Sequence, residues 1–238
     1  MTRPVLQSIQ VGLPRKMGLE GATDPMDRPW TSGFQKSPVP GPVRVGSTNV
    51  EGDGQADLEH HGGPDKAVLA YSADHYAQWR QVLQKPDLPF GAFGENFTIA
   101  GLNETTVCVG DIWQLGDVRL QVSQPRQPCW KLARRWRIKT LALQVQESGR
   151  TGWYFRVLTE GMITPGLGFH LQDRPYPDWT IERSNRIMHF EKDDLRAAAE
   201  LAALAPLATS WKSTLIKRVE KNANPDPSKR LIGPNEHG

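Results

Sequence analysis

The chain has 238 residues, with 29 Lys and Arg against 26 Asp and Glu, 38% hydrophobic residues and only two cysteines. This length suits one large domain, or one medium domain with a small appendage, and eight Trp, seven Phe and four Tyr can anchor a core, which excludes disorder along the whole chain. The sequence has no apolar run long enough for a membrane span, its first residues lack the apolar segment of a secretory signal, and two cysteines cannot form a disulfide framework. We therefore expect a reduced cytoplasmic protein that does not enter a membrane.

The chain as far as Trp179 reads as short strands separated by turns, which predicts a β-rich domain. Apolar and polar residues alternate over 118–123, the period of a half-buried strand, and Gly116-Asp117 before it is typical of a hairpin. Residues 12–42 are polar and rich in Gly and Pro, which predicts a long loop, functional or mobile. The predicted strands cover residues 5–11, 42–45, 67–71, 97–99, 106–109, 112–115, 118–123, 153–158, 162–163 and 168–171.

Helices are predicted in both halves of the chain. Aromatic and apolar residues at helical spacing predict helices over 73–84 and 130–147. Past Trp179 the sequence is charged and then Ala/Leu-rich, and residues 182–204 and 211–221 predict a small helical bundle that docks on the larger domain. The polar, Pro-rich residues that follow, 222–238, predict a disordered tail.

The net charge of +3 is unevenly distributed. Residues 118–146 carry seven Lys and Arg and no acidic residue, which leaves −4 for the rest of the chain. Such a segment indicates an anionic partner, whether phosphate, nucleic acid or an acidic protein surface, or else a solvated helix face.

Cys129 lies inside this basic segment, between a predicted strand and a predicted helix. The start of a helix, Arg126 and Lys131 all favour the thiolate form, which attacks electrophiles or binds soft metals. Most lone cysteines are instead buried small hydrophobes, and Cys108, between two valines, fits that description.

Two other motif matches in the basic segment are weaker. Cys129 and Arg135 have the C-x5-R spacing of cysteine phosphatases, but the residues between them look helical and contain no Gly or Ser, so they cannot form a phosphate-cradling loop. The run 134–137 could contact phosphates and stack a base, yet it is short and no groove-reading motif accompanies it.

A second cluster surrounds two histidines and two glycines. Gly62 and Gly63 let the backbone approach a ligand and present N–H groups to an anion, with Lys66 as the cation. Zinc held by His60, His61 and His75 is disfavoured, because adjacent histidines in an extended chain point to opposite faces. A polar turn with locally bonded histidines is an equal alternative to a ligand site.

Five segments recur in the order found in one known family: His60-His61-Gly62-Gly63-Pro64-Asp65-Lys66-Ala67-Val68, Phe93-Gly94-Glu95-Asn96, Gly110-Asp111, residues 124–131 and residues 149–158. With these segments the chain resembles the MOSC domain, named for the C-terminal part of molybdenum cofactor sulfurase, and specifically its YiiM-like branch. The resemblance implies a mainly β, barrel-like domain with added helices over residues 1–179. Residues 180–221 resemble the three-helix "3-alpha" module of the same branch. One departure is Pro165-Gly166-Leu167-Gly168, which lacks an acidic turn residue common in the family.

The resemblance also implies a cofactor site. The family binds molybdenum cofactor, in which an anionic molybdopterin holds molybdenum through a dithiolene, and Cys129 would be the thiolate ligand of the metal. His61 and Glu95 would line the pocket as hydrogen-bonding groups or proton donors. The residues implied to bind the cofactor are Gly62, Gly63, Lys66, Asn96, Arg126, Lys131 and Arg156.

The implied activity is reduction of N-hydroxylated small molecules, such as 6-hydroxylaminopurine, to amines, with two electrons and two protons consumed and water released. The chain has neither the Cys pattern of an iron–sulfur cluster nor a dinucleotide-binding motif, so we expect electrons from a separate reductase. The alternatives are a carrier of molybdenum cofactor or sulfur without turnover and, more weakly, a nucleic-acid-binding protein. We expect no nucleic-acid partner, and the sequence does not specify the oligomeric state.

Overall fold

The computed structural model describes residues 3–236, apart from the side chains of Glu59 and His60. Strands are the commonest regular element in the region before Trp179. They are β1 (Val5–Val11), β2 (Arg15–Met17), β3 (Trp30–Ser32), β4 (Ser37–Pro38), β5 (Val43–Val45), β6 (Val68–Ser72), β7 (Phe97–Ala100), β8 (Ile112–Leu115), β9 (Val118–Pro125), β10 (Trp153–Thr159), β11 (Gly161–Ile163) and β12 (Phe169–Asp173).

Eight strands form one curled sheet in the order β12-β8-β9-β10-β6-β7-β1-β4. Its neighbouring strands are antiparallel except β6 and β7, which are parallel. Leu6 of β1 exchanges backbone hydrogen bonds with residues 166 and 167 before β12, which brings the two ends of the sheet together. The predicted mainly β, barrel-like fold is confirmed as a half-barrel, with β5–β11 and β2–β3 as separate two-stranded pairs.

The main core fills the inside of the curled sheet. Val118, Leu120 and Val122 of β9 are fully buried, whereas Arg119 between them is exposed, which confirms the predicted alternation as far as Val122; Ser123 is also fully buried. Full burial of one such aliphatic side chain stabilises the fold by about 1.5–3 kcal/mol. Buried aromatic rings of β7, β10 and β12 join the same core.

The helices are α1 (Leu58–His61), α2 (Tyr76–Val82), α3 (Lys131–Trp136), α4 (Leu141–Glu147), α5 (Ile181–His189), α6 (Leu195–Ala202), α7 (Thr209–Lys221) and α8 (Ser228–Leu231). Short 3-10 turns cover Pro25–Asp27, Pro64–Lys66, Ala73–His75 and Gly233–Asn235. Within the described residues, no helix has the length and apolar character needed to cross a bilayer.

Three of the elements predicted before Trp179 differ from the observed ones. The helix predicted over 130–147 divides into α3 and α4, because Arg137 takes a left-handed conformation with φ of 59°. The strand predicted over 106–109 is a turn, in which the Asp111 carboxylate accepts the N–H of Cys108 at 2.9 Å. The long loop predicted over 12–42 contains β2, β3 and β4 and packs on the domain.

Helices α5, α6 and α7 form the three-helix module, and its core is continuous with the core of the half-barrel. The helix predicted over 182–204 divides into α5 and α6, because the Asp194 carboxylate caps α6 by accepting the N–H of Ala197 at 2.8 Å. Arg218 of α7 is buried and donates to the carbonyls of Ile187 and Met188, each at 2.7 Å, at the end of α5. These bonds satisfy carbonyls that a helix end leaves free.

The predicted disordered tail is wrong for residues 228–235. These residues form α8 and a 3-10 turn, with Leu231 and Asn235 only 7% and 4% exposed. The polar composition of residues 222–238 does not predict the burial of Leu231 and Asn235, because the residues that bury them are distant in the sequence. Residues 237 and 238 lie outside the described part of the chain.

Candidate functional site

A cleft opens between the loop before β4, the segment that precedes α1, and the loop that carries Cys129. It holds about 610 Å³ of empty space when its open mouth is counted. The lining residues are Ser32, Gly33, Phe34, Lys36, Asp53, Gly54, Gln55, Ala56, His61, Lys66, Leu69, Gly94, Asn96, Arg126, Gln127, Cys129, Lys131 and Tyr154.

Cys129 lies in the wall of this cleft and is 7% exposed. Its loop leaves β9 at Pro125 and is tied to the start of β10 by a hydrogen bond from the N–H of Arg126 to the carbonyl of Gly152 at 3.0 Å. Helix α3, which has six residues, follows at Lys131. The thiol of Cys108 is buried elsewhere, beside the Pro177 carbonyl, and burial raises its pKa to about 11. The interpretation of Cys108 as a structural residue is confirmed.

The cleft is lined by four basic side chains and one acidic one: Lys36, Lys66, Arg126 and Lys131 against Asp53. Arg126 is 3% exposed, and its Nη2 donates to the carbonyl of Phe93 at 3.0 Å. Its Nη1 is buried and finds no hydrogen-bond partner in the part of the chain that the structure describes. A charged donor left buried without an acceptor is costly, so this geometry suits an anion bound in the cleft.

Neutral polar groups lie beside these cations. Burial, followed by the charges of Lys131, Lys66 and Arg126, lowers the pKa of His61 to about 3. Burial raises the pKa of Tyr154 to about 12. Near neutral pH the imidazole is therefore uncharged and the phenol keeps its proton, so both can form hydrogen bonds with a bound molecule.

Lys36 and Asp53 are site residues that the sequence interpretation missed. The Nζ of Lys36 contacts the Asp53 carboxylate, and both side chains are almost completely buried. Asp53 also accepts the N–H of Gly12 at 2.9 Å. Burial lowers the pKa of Lys36, and the Asp53 charge opposes that effect. Because 17 residues and a folded loop separate the two, sequence spacing gives no signal for the pair.

Asn96 and Glu95 are adjacent in sequence but have different surroundings. Asn96 lines the cleft, but its amide is engaged by the N–H of Leu69 at 3.1 Å and the carbonyl of Gln10 at 3.2 Å. Glu95, predicted to line the pocket, is not among the residues that line the cleft, and its carboxylate is fully buried. It accepts hydrogen bonds from the N–H groups of Gly91 and Phe93, the Thr98 hydroxyl and the Tyr76 hydroxyl.

Arg156 and the two glycines also lie outside the cleft lining, contrary to prediction. Arg156 donates to Asp65 at 3.0 Å and to Gln121 at 2.6 Å. Gly63, with φ of 87°, begins the 3-10 turn that carries Lys66, so the glycines shape this loop instead of lining the cleft.

Two arginines of the basic run after Cys129 point inward. Arg134 donates to the carbonyls of Pro25 and Arg28, and Arg135 to the carbonyls of Phe34 and Gly91, at 2.7–3.0 Å. Only part of the basic segment therefore serves the cleft. Arg134 and Arg135 instead hold the loop before β4 and its neighbours, whereas Arg137 is exposed and contacts Asp24 and Asp27.

The zinc alternative is not assembled by the described residues. His75 bonds Glu104 at 2.6 Å and does not line the cleft, and the side chain of His60 lies outside the described part. No group of three or more His, Cys, Asp or Glu among the described residues could hold a metal ion. A metal bound in this cleft would have Cys129 as its ligand from the protein. Its remaining ligands would come from a cofactor bound with it, as the dithiolene of molybdopterin would provide.

Family models match both parts of the chain. The MOSC domain matches residues 57–168, and the YiiM-like, 3-alpha helix domain matches residues 179–222. The structure is similar to the crystal structure of YiiM from Geobacillus stearothermophilus, with a TM-score of 0.75 and 37% identity over 91% of this chain and 99% of that one. MOSC domains are associated in general with binding of molybdenum cofactor.

Curated relatives extend this similarity. The uncharacterized protein YflK of Bacillus subtilis (strain 168) is 41% identical over 90% of this chain and 94% of its own length. A protein named "Reductase" from Gibberella moniliformis is 37% identical over 84% of this chain but only 35% of its own length. The chain therefore belongs to the MOSC-domain family, in the branch of YiiM-like proteins with a 3-alpha module.

Proposed function

We propose that the cleft binds molybdenum cofactor through Cys129 and that the protein uses it to reduce N-hydroxylated compounds to amines. The observation that carries this proposal is the buried, unpartnered Nη1 of Arg126 in a cleft that also holds a thiol. Lys66 and Lys131 add positive charge for the anionic parts of the cofactor. When bound, the cofactor supplies a two-electron redox centre that accepts an oxygen atom.

The neutral groups of the cleft suit an uncharged N–OH compound. His61 and Tyr154 can hold the N–OH group by hydrogen bonds without adding charge. The net reaction converts R–NHOH, two electrons and two protons into R–NH₂ and water. Electrons come from a separate reductase in this proposal, which is supported by the relative named "Reductase", whose chain extends well beyond the matched region.

Molybdenum content tests the ligand assignment. The wild-type protein, Cys129→Ala and Cys108→Ala are made in a host that produces the cofactor, and metal is measured per folded protein. We expect molybdenum in the wild type and in Cys108→Ala, and its loss in Cys129→Ala with folding unchanged, because only Cys129 lines the cleft. Retention of molybdenum by Cys129→Ala would overturn the assignment.

Turnover separates an enzyme from a carrier. We expect the loaded wild type to reduce 6-hydroxylaminopurine with a chemical reductant. Cys129→Ala should be slower by more than the ~10–100-fold that follows loss of an outer-shell partner of a metal site. A protein that binds molybdenum but reduces no N-hydroxylated compound would be a carrier.

A further inference from the structure

Residues 226–236, here called the C-terminal strap, lie against the loop that carries Cys129. The N–H of Trp130 donates to the carbonyl of Arg230 at 2.8 Å, and the Asn235 amide donates to the carbonyl of Trp130 at 3.2 Å. Trp130 is the N-cap residue of α3, and its side chain makes no capping hydrogen bond. The strap therefore binds both backbone groups of the residue after Cys129.

The guanidinium of Arg230 reaches across the same loop. Its Nη1 donates to the carbonyl of Pro128, and its Nη2 donates to the side-chain carbonyl of Gln146 in α4 at 2.6 Å. The planar fork of arginine can satisfy two acceptors held at a fixed separation, which a lysine cannot do. The residues on both sides of Cys129 are thus fixed by one residue of the strap, through its side chain and its backbone.

Side-chain packing also holds the strap against the Cys129 loop. Leu231 is buried in the apolar cluster that includes Leu132 and Val145 of the two helices after Cys129. Gly233, with φ of 56°, lies close to the indole of Trp130, and an added Cβ would lie 2.3 Å from the ring. Arg134 donates to Asn235 at 2.7 Å from the other side.

We infer that Arg230 is a positioning residue for Cys129, and that the strap fixes the direction from which the thiol meets a bound metal. This inference deepens the proposed function and rests on it for the role of Cys129. The strap lies outside both matched family regions, residues 57–168 and 179–222, so the inference comes from the packing of this chain.

The test compares Arg230→Ala with Lys229→Ala, its exposed neighbour in α8. Amide hydrogen exchange of the cofactor-free protein should rise ~10–100-fold over residues 129–132 in Arg230→Ala, the range expected for loss of a hydrogen bond to a charged group. Lys229→Ala should match the wild type. In the molybdenum-loaded protein, the absorption of the metal–thiolate unit should shift in Arg230→Ala only, which a general loss of stability would not cause.

A second variant and a wild-type measurement separate loss of folding from failure of the inference. If Arg230→Ala does not fold, Arg230→Lys keeps the charge without the fork and should exchange at an intermediate rate. Exchange in the variants equal to that of Lys229→Ala would overturn the inference. Wild-type protein that binds no molybdenum would instead overturn the proposed function, while hydrogen exchange would still decide whether the strap holds the loop.

Discussion

Two buried polar regions lie on either side of the segment 93–96, and they differ in how fully their hydrogen bonds are satisfied. Around Glu95, four donors from the chain bind one carboxylate. In the cleft, Arg126 keeps a buried N–H without a partner among the described residues. A buried polar group whose partners all come from the chain stabilises the fold, whereas a missing partner indicates a place for a ligand.

The two regions are connected through one residue. Phe93 donates its N–H to Glu95 and accepts a hydrogen bond at its carbonyl from Arg126. The carboxylate of Glu95 therefore fixes the loop that orients Arg126. Substitutions should separate the two regions, by changing stability in one and ligand binding in the other.

The largest expected effect on stability is that of Glu95→Ala. The free energy of unfolding should fall by about 3–5 kcal/mol, because four buried donors lose their acceptor and each loss costs about 1–3 kcal/mol without strict additivity. Chemical denaturation measures it, and Glu95→Gln, which keeps one acceptor oxygen, should cost less. Normal stability combined with lost molybdenum would place Glu95 in the site after all.

Arg126→Gln should weaken cofactor binding more than it lowers the stability of the fold. Retention of molybdenum cofactor should fall ~10–100-fold, the range for loss of an outer-shell group at a metal site, with a smaller change in stability than Glu95→Ala causes. Molybdenum remaining after extended dialysis measures it. Arg119→Gln, an exposed change within the same basic segment, is the matched control and should retain the metal. Equal retention in both variants would remove Arg126 from the cofactor site.

The smallest expected effect is the change in stability over the first pH unit below 6.5, which arises from the cleft. The pKa of His61 is about 3 in the folded protein and ordinarily 6.5, so the unfolded chain binds its proton more readily. Stability should therefore fall as the pH drops from about 6.5 towards 3, by up to about 1.4 kcal/mol per pH unit from this group. His61→Gln should reduce the slope between pH 6.5 and 5 relative to the wild type, measured by denaturant unfolding. Identical slopes would contradict a neutral, buried His61.

The basic segment of residues 118–146 shows what a pattern of charges in the sequence can and cannot predict. For this segment the sequence predicted an anionic partner or else a solvated helix face. Arg126 and Lys131 line the cleft, but Arg134 and Arg135 bind backbone carbonyls of loops distant in the chain. A count of charges cannot separate these uses, because the acceptors lie some 40 to 110 residues away along the chain.

The sequence by itself determined the local features: the alternating strand β9, the helices of the module, the buried Cys108 and the family to which the motifs belong. It also singled out Cys129, because Arg126 and Lys131 lie within a few residues of it in the sequence. Only the tertiary structure decided that Glu95 and Arg156 are satisfied away from the cleft. It alone brought Lys36 to Asp53, and the strap of residues 226–236 to the Cys129 loop. The physical reason is that strand and helix patterns depend on near neighbours, whereas the hydrogen bonds and ion pairs of a buried site join segments that approach each other only when the chain folds.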